Sequence, residues 1–298
     1  MSITQRSVLD LESLTDRITP TTAVFSNGVL TIQGDNHGNA INVSAATDGT
    51  IQVTERGQAV TVTGATTATT TTVKFVVEEA GTGANNTLST SASLGAIPDT
   101  LLGNGTGTMT FTPGNNAPST AIGSPNAHSV NFFVSNPGGK DVFLGGKGYN
   151  LFDWQPGTGT DTYMGAGKGN TVLVVGNANG TAESDTLTGD GTGGVIYTRN
   201  SPVPFSLYTR DIQNWDLQPS TGAGNTVTIG YLSGTATKQV QVDLTSGTVD
   251  ASGQNSSDVK LVVNGSRNTV SEGAGATRLT NTTPPTTTDL LNGYLARL

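Results

Sequence analysis

Along most of the chain, short runs of alternating apolar and polar residues are stopped by Gly, Asn or Asp. Val29-Leu30-Thr31-Ile32, Ile51-Gln52-Val53, Ala59-Val60-Thr61-Val62 and Val73-Lys74-Phe75-Val76-Val77 are of this kind, as are Gln239-Val240-Gln241-Val242 and Val259-Lys260-Leu261-Val262-Val263. A period of two or a high β-branched content marks strands with at least one buried face. Only residues 7–19 read differently. Val8, Leu11, Leu14 and Ile18 fall at helical spacing between a capping Ser7 and Pro20. The Thr run 69–72 and the Gly/Asn/Thr/Pro stretch 103–126 read as loops or irregular coils.

A second pattern lies over the first: Asn or Asp, a small residue, then a branched apolar one. Its clearest copies start at Asn39, Asn86, Asn170, Asn225 and Asn268, and a looser one at His128 fills the widest gap. The interval is about 42 to 55 residues, and the pairs Asp141/Asp161 and Asn150/Asn170, about 20 apart, favour a coil near 21 residues. Such recurrence predicts an all-β chain wound as a parallel β-solenoid (a β-helix or β-roll) with a short N-terminal helix; a β-sandwich is the alternative. Stacked coils lie about 4.8 Å apart, so equivalent Asn side chains form a ladder. Residues 1–22 then form a helical cap or docking segment, 23–275 the solenoid body, and 276–298 a Thr/Pro-rich tail ending in Leu290, Leu291, Tyr294 and Leu295.

Composition narrows the function. Charged residues make up 12% and there are 40 glycines, whereas an ordinary domain is about 25% charged. The high Val, Ile and Thr content argues for order. Net charge is −8 with no basic stripe, which argues against nucleic acid. Cysteine is absent, which removes disulfides and thiolate metal sites and suits an extracellular bacterial protein made rigid by other means. No apolar run approaches the about 18 residues of a membrane helix, and the first twenty residues lack the pattern of a secretory signal.

Residues 138–176 carry the strongest chemical signal. Gly145-Gly146-Lys147-Gly148-Tyr149-Asn150-Leu151-Phe152-Asp153 and Pro156-Gly157-Thr158-Gly159-Thr160-Asp161-Thr162-Tyr163-Met164 resemble the glycine-rich nonapeptide of RTX (hemolysin-type) calcium-binding repeats. A third, shifted copy is Gly165-Ala166-Gly167-Lys168-Gly169-Asn170. The resemblance implies a β-roll in which Gly carbonyls and Asp carboxylates hold Ca²⁺, with Asp141, Asp153 and Asp161 as the candidate ligands. Asn150 and Asn170 stand where a carboxylate is expected, so a calcium-free roll with Asn ladders in place of the ion is the competing reading.

At the amino end, Leu11-Glu12-Ser13-Leu14-Thr15-Asp16-Arg17-Ile18-Thr19-Pro20 resembles the L-E-x-L-x-D-R-x-T-P segment near the start of surface and secreted proteins of planctomycete bacteria. That resemblance implies export and an extracellular or cell-surface location.

Catalytic signals are weak. The two histidines, His37 and His128, sit in polar loops, and no nucleophile elbow, phosphate loop or His-Glu metal motif appears. Glu78-Glu79 and Asp185 with Asp190 are candidate acid pairs, and Arg199 and Arg210 are candidate bases for a polysaccharide lyase. Trp154, Trp215, Tyr149, Tyr163, Tyr197 and Tyr208 fit a sugar-stacking platform or, better, buried caps. The expectation is a non-enzymatic extracellular structural protein. It self-assembles head to tail into a filament or surface layer through Leu11, Leu14 and the apolar C-terminal residues. A calcium-binding RTX-like adhesin and a carbohydrate-active β-helix enzyme are the alternatives, calcium being the cofactor in question and polysaccharide a second candidate partner.

Overall fold

The computed structural model describes residues 21–114, 116–135, 138–265, 267–273 and 277–280. The helix expected over 7–19 and the assembly residues Leu11, Leu14, Leu290, Leu291, Tyr294 and Leu295 lie outside them.

The first segment is β1 (Thr22–Ser26), β2 (Val29–Gln33), β3 (Ala40–Ala45), β4 (Ile51–Glu55), β5 (Gln58–Val60) and β6 (Val62–Gly64). A regular winding follows: β7 (Phe75–Glu79), β8 (Ala84–Thr90), β9 (Asp99–Leu102), β10 (Thr106–Thr112), β11 (Ser119–Ile122), β12 (Val130–Val134), β13 (Val142–Leu144), β14 (Tyr149–Trp154), β15 (Thr162–Met164) and β16 (Lys168–Val175). An antiparallel meander of β17 (Ser184–Gly189), β18 (Gly194–Ser201) and β19 (Phe205–Arg210) interrupts it. The winding resumes through β20 (Asn214–Gln218), β21 (Asn225–Ile229), β22 (Gln239–Asp243), β23 (Ser246–Ala251), β24 (Lys260–Asn264), β25 (Arg267–Glu272) and β26 (Thr277–Thr280).

These strands build two sheets, of 14 and 12 strands, here sheets I and II. In the regular winding the chain alternates between them, and each strand pairs in parallel with the strand one turn on, as β10 does with β8 and β12. The fold is therefore all-β and solenoid-like. Antiparallel pairs occur at the amino end and in the meander, whereas a β-sandwich would be antiparallel throughout. The meander inserts β17 and β18 into sheet I between β19 and β21, while β20 follows β16 directly in sheet II. That is why sheet I has two strands more.

Alternation along each strand sends every second side chain between the sheets. Parallel pairing then stacks equivalent residues into columns. In sheet II the inward column runs Ile41, Leu88, Phe111, Phe133, Phe152, Val172, Trp215, Val240 and Leu261, all buried. Phe111, Phe133 and Phe152 stack face to face with centroids 4.8 and 4.9 Å apart, at rung spacing. Each ring removed from water contributes about 1.5–3 kcal/mol, and the stacked geometry makes the register costly to slip.

The stretch 103–126 contains β10 and β11 rather than only loops. Met109 and Phe111 point inward between outward threonines. The same Thr residues that made the segment look irregular are good strand formers on a half-exposed face.

Candidate functional site

Asn39, Asn86, Asn131, Asn150 and Asn170 occupy one column at the corner that leads into sheet II, with Met109 between Asn86 and Asn131 and Gln213 after Asn170. Asn39 donates to Asn86 Oδ1 at 2.9 Å, Asn131 to Asn150 Oδ1 at 2.9 Å, and Asn150 to Asn170 Oδ1 at 2.6 Å. The backbone N–H of Asn170 continues the chain to Gln213 Oε1 at 2.7 Å. Asn150 also ties down its own turn: it accepts from Gly146 N–H, and its Nδ2 lies within hydrogen-bonding distance of the Gly146 and Gly148 carbonyls and of the Ala166 carbonyl one turn on. The turn must be tight, because a Cβ on Gly148 would overlap the Ser129 carbonyl one rung earlier.

Asn225 and Asn268 belong to a different column, at the entry to sheet I, separated by Gly247 and preceded by Glu183. The motif expected to mark one equivalent corner therefore marks two: Asn39, Asn86 and Asn170 stand at strands of sheet II, Asn225 and Asn268 at strands of sheet I. At the 128 position the ladder residue is Asn131, not His128, which is exposed.

The candidate calcium ligands are divided. Asp141 and Asp161 are adjacent in a second, acidic column that enters sheet I, with Asp99 and Ser119 in line. Asp141 Oδ1 accepts from Ser119 N–H and Asp161 Oδ1 from Asp141 N–H, both at 3.0 Å. The Tyr163 hydroxyl donates to Asp161 Oδ2 at 3.2 Å. Burial pushes the Asp161 carboxyl up from 3.8 to about 6. Asp153 lies on the outer face of sheet II. Among the described residues no group of three or more His, Cys, Asp or Glu side chains converges on one point. The Gly146, Gly148 and Ala166 carbonyls, which an RTX roll would offer a cation, accept from Asn150 instead.

The most concentrated buried charge was not evident from spacing. Arg199 on β18 is 2% exposed, and its Nη1 lies 3.1 Å from Glu183 Oε1 and its Nε 4.0 Å from Asp185 Oδ1. The guanidinium packs 4.8 Å from the ring centroids of both Trp154 and Phe205, which stack at 3.9 Å. Burial raises the Asp185 carboxyl from 3.8 to about 7. Glu183 also holds the N–H groups of Asn177 and Ser220. The cluster cements the inserted meander to the main winding. Val195, Tyr197 and Arg199 share one face of β18, a period-two signal that was legible in the sequence.

Elsewhere, Glu78 is wholly buried in the inward column of sheet I beside Asp99, and burial raises its carboxyl well above the ordinary range. Its neighbour Glu79 points the other way, so the two do not form an acid pair. Asp190 caps the β17–β18 turn through Thr192 and Gly194, away from buried Asp185. His37 and Arg210 are exposed, Arg210 donating to the Thr192 carbonyl. Trp154, Trp215, Tyr163 and Tyr197 are interior, and Tyr208 is half exposed. Trp154, Trp215, Tyr163 and Tyr197 are therefore not on the surface, and Tyr149 lies half-buried on the outer face of sheet II.

Neither a family model, nor a curated protein, nor a solved structure matches this chain. The fold and the ladders define an all-β, solenoid-like scaffold built from parallel sheets. No helix among the described residues is long and apolar enough to cross a membrane.

Proposed function

We propose that this chain is a non-enzymatic extracellular structural protein whose β-solenoid body assembles end to end into a filament or surface layer. The observation that carries the reading is the pair of sheet ends. At the carboxyl end the outermost strands of sheets I and II are β25 and β26, each with one edge free of described strands. At the amino end they are β6 and β5, of three residues each. Unpaired edges template further pairing. Ile51, Val53, Val60 and Val62 line an open groove of about 660 Å³ at the amino end, a landing place for the last rung of a neighbour. A contact between unlike ends propagates as an open filament rather than a closed ring. The Asn, Asp and Phe columns supply internal stiffness, and the Asn amides take the carbonyls that an RTX roll gives to calcium.

Negative-stain microscopy of the purified full chain, with and without EDTA, tests this reading. Filaments or sheets under both conditions are expected. Dispersed monomers under both conditions defeat it, and assemblies that dissolve in EDTA favour the calcium-dependent adhesin.

A further inference from the structure

The outer face of sheet II should be wet, since its side chains alternate with those of the core. Over β12, β14 and β16 it is not. Val130, Leu151 and Leu173 are at most 1% exposed and form an apolar cluster separate from the main core, joined by Phe132, Tyr149 and Val175. All are residues of sheet II itself. No described strand packs over them, because the described strands pair only within the two sheets. Two of the acids on this face, Asp153 and Asp216, each have a buried carboxylate oxygen with no hydrogen-bond partner.

We infer that this face is the docking surface for the carboxyl-terminal segment of the same chain, residues 281–298. The last described strand, β26, belongs to sheet II, so the chain leaves from the sheet that needs covering. From β26 the cluster lies about 19 Å away at β16 and about 29 Å away at β12, counted in strand steps. Residues 281–289, Asn-Thr-Thr-Pro-Pro-Thr-Thr-Thr-Asp, are polar and reach about 30 Å when extended. They deliver the apolar residues Leu290, Leu291, Tyr294, Leu295 and Leu298.

The other terminus fits less well. Thr21 is held beside Asn39 and Glu55, and only Pro20 and Thr19 separate it from apolar Ile18. An apolar segment starting there would lie first over Thr87, Ser89, Thr108 and Thr110, which are polar.

The inference goes beyond the assembly reading and stands independently of it. The chain has no cysteine, so a single introduced thiol reports exposure cleanly. In the full chain, Leu173→Cys should react with a maleimide at least about tenfold more slowly than Val203→Cys, at an exposed site. Adding Leu291→Asp and Leu295→Asp should abolish that protection, while Leu11→Asp with Leu14→Asp should leave it intact. Rapid labelling at Leu173→Cys, or protection that survives the tail substitutions, overturns the inference. Protection lost with the amino-terminal substitutions, or lost on dilution, also overturns it and identifies the amino terminus or a second copy as the cover. Far-UV circular dichroism checks that each variant is folded, and Thr171→Cys on the same face serves if Leu173→Cys is not. Microscopy of the tail variant separates the two readings, since filaments that persist without protection leave assembly standing and place it elsewhere.

Discussion

Asn150 donates to Asn170 Oδ1 at 2.6 Å across one rung, and the same amide nitrogen satisfies the carbonyl of Ala166 at 2.6 Å. One side chain thus links two successive turns of the winding and closes its own.

Replacing it tests the ladder. Asn150→Ala leaves the Ala166 carbonyl and the Oδ1 of Asn170, each 2.6 Å from the amide nitrogen, short of a donor in a buried corner. Each unsatisfied group costs about 1–3 kcal/mol. The midpoint of denaturant unfolding should fall by an amount equivalent to at least about 2 kcal/mol, with the slope unchanged. An effect within about 0.5 kcal/mol, the size expected for a surface substitution, would show the ladder to be incidental.

The stacked rings make a second test. Phe133 touches Phe111 and Phe152 at 4.8 and 4.9 Å and Phe143 across the core at 5.5 Å. Phe133→Ala should cost about 3–5 kcal/mol and Phe133→Leu clearly less, because the cavity left is smaller. Calorimetry on both variants measures the difference, and equal losses would contradict the packing account.

The Arg199 cluster should behave as a unit. Arg199→Met strands Glu183 and Asp185 without a counter-charge, and breaking a buried pair costs about 3–5 kcal/mol. Adding Glu183→Gln and Asp185→Asn should recover much of that loss. A triple variant no more stable than Arg199→Met would mean that the guanidinium acts mainly through Trp154 and Phe205.

Stability should fall as pH rises from about 4 to about 7. Burial raises Asp161 to about 6 and Asp185 and Asp216 to about 7, and it raises Glu78, Asp153 and Asp243 as well. A carboxyl whose folded pKa exceeds its unfolded one binds its proton more tightly when folded. Its contribution is complete below the unfolded pKa near 3.8 and disappears as pH climbs through the folded value. Each pH unit between the two is worth about 1.4 kcal/mol at most. Exposed Asp48, Asp190 and Asp250, lowered by local hydrogen bonds, pull the other way only below that window. Melting temperatures at pH 4, 5, 6 and 7 should decline, and Asp216→Asn should flatten the decline. A rise across that range would contradict the assignment.

Local alternation and the recurring Asn were enough to read an all-β chain wound in coils, because strand period and corner chemistry are properties of neighbouring residues. The pairs about 20 apart, Asn150 with Asn170 and Asp141 with Asp161, do stand on adjacent rungs. Three things were out of reach. The Asn copies split into two columns, since those at Asn225 and Asn268 stand at strands of sheet I and the earlier ones at strands of sheet II. β10 and β11 were hidden by Thr and Gly, whose strand role depends on the neighbours above and below. Arg199 meets Glu183, Asp185 and Trp154 only once the inserted strands close on the winding. Periodicity is written in the chain itself. Which coil lies on which, and which charges are sealed between them, is decided by packing between residues far apart in sequence.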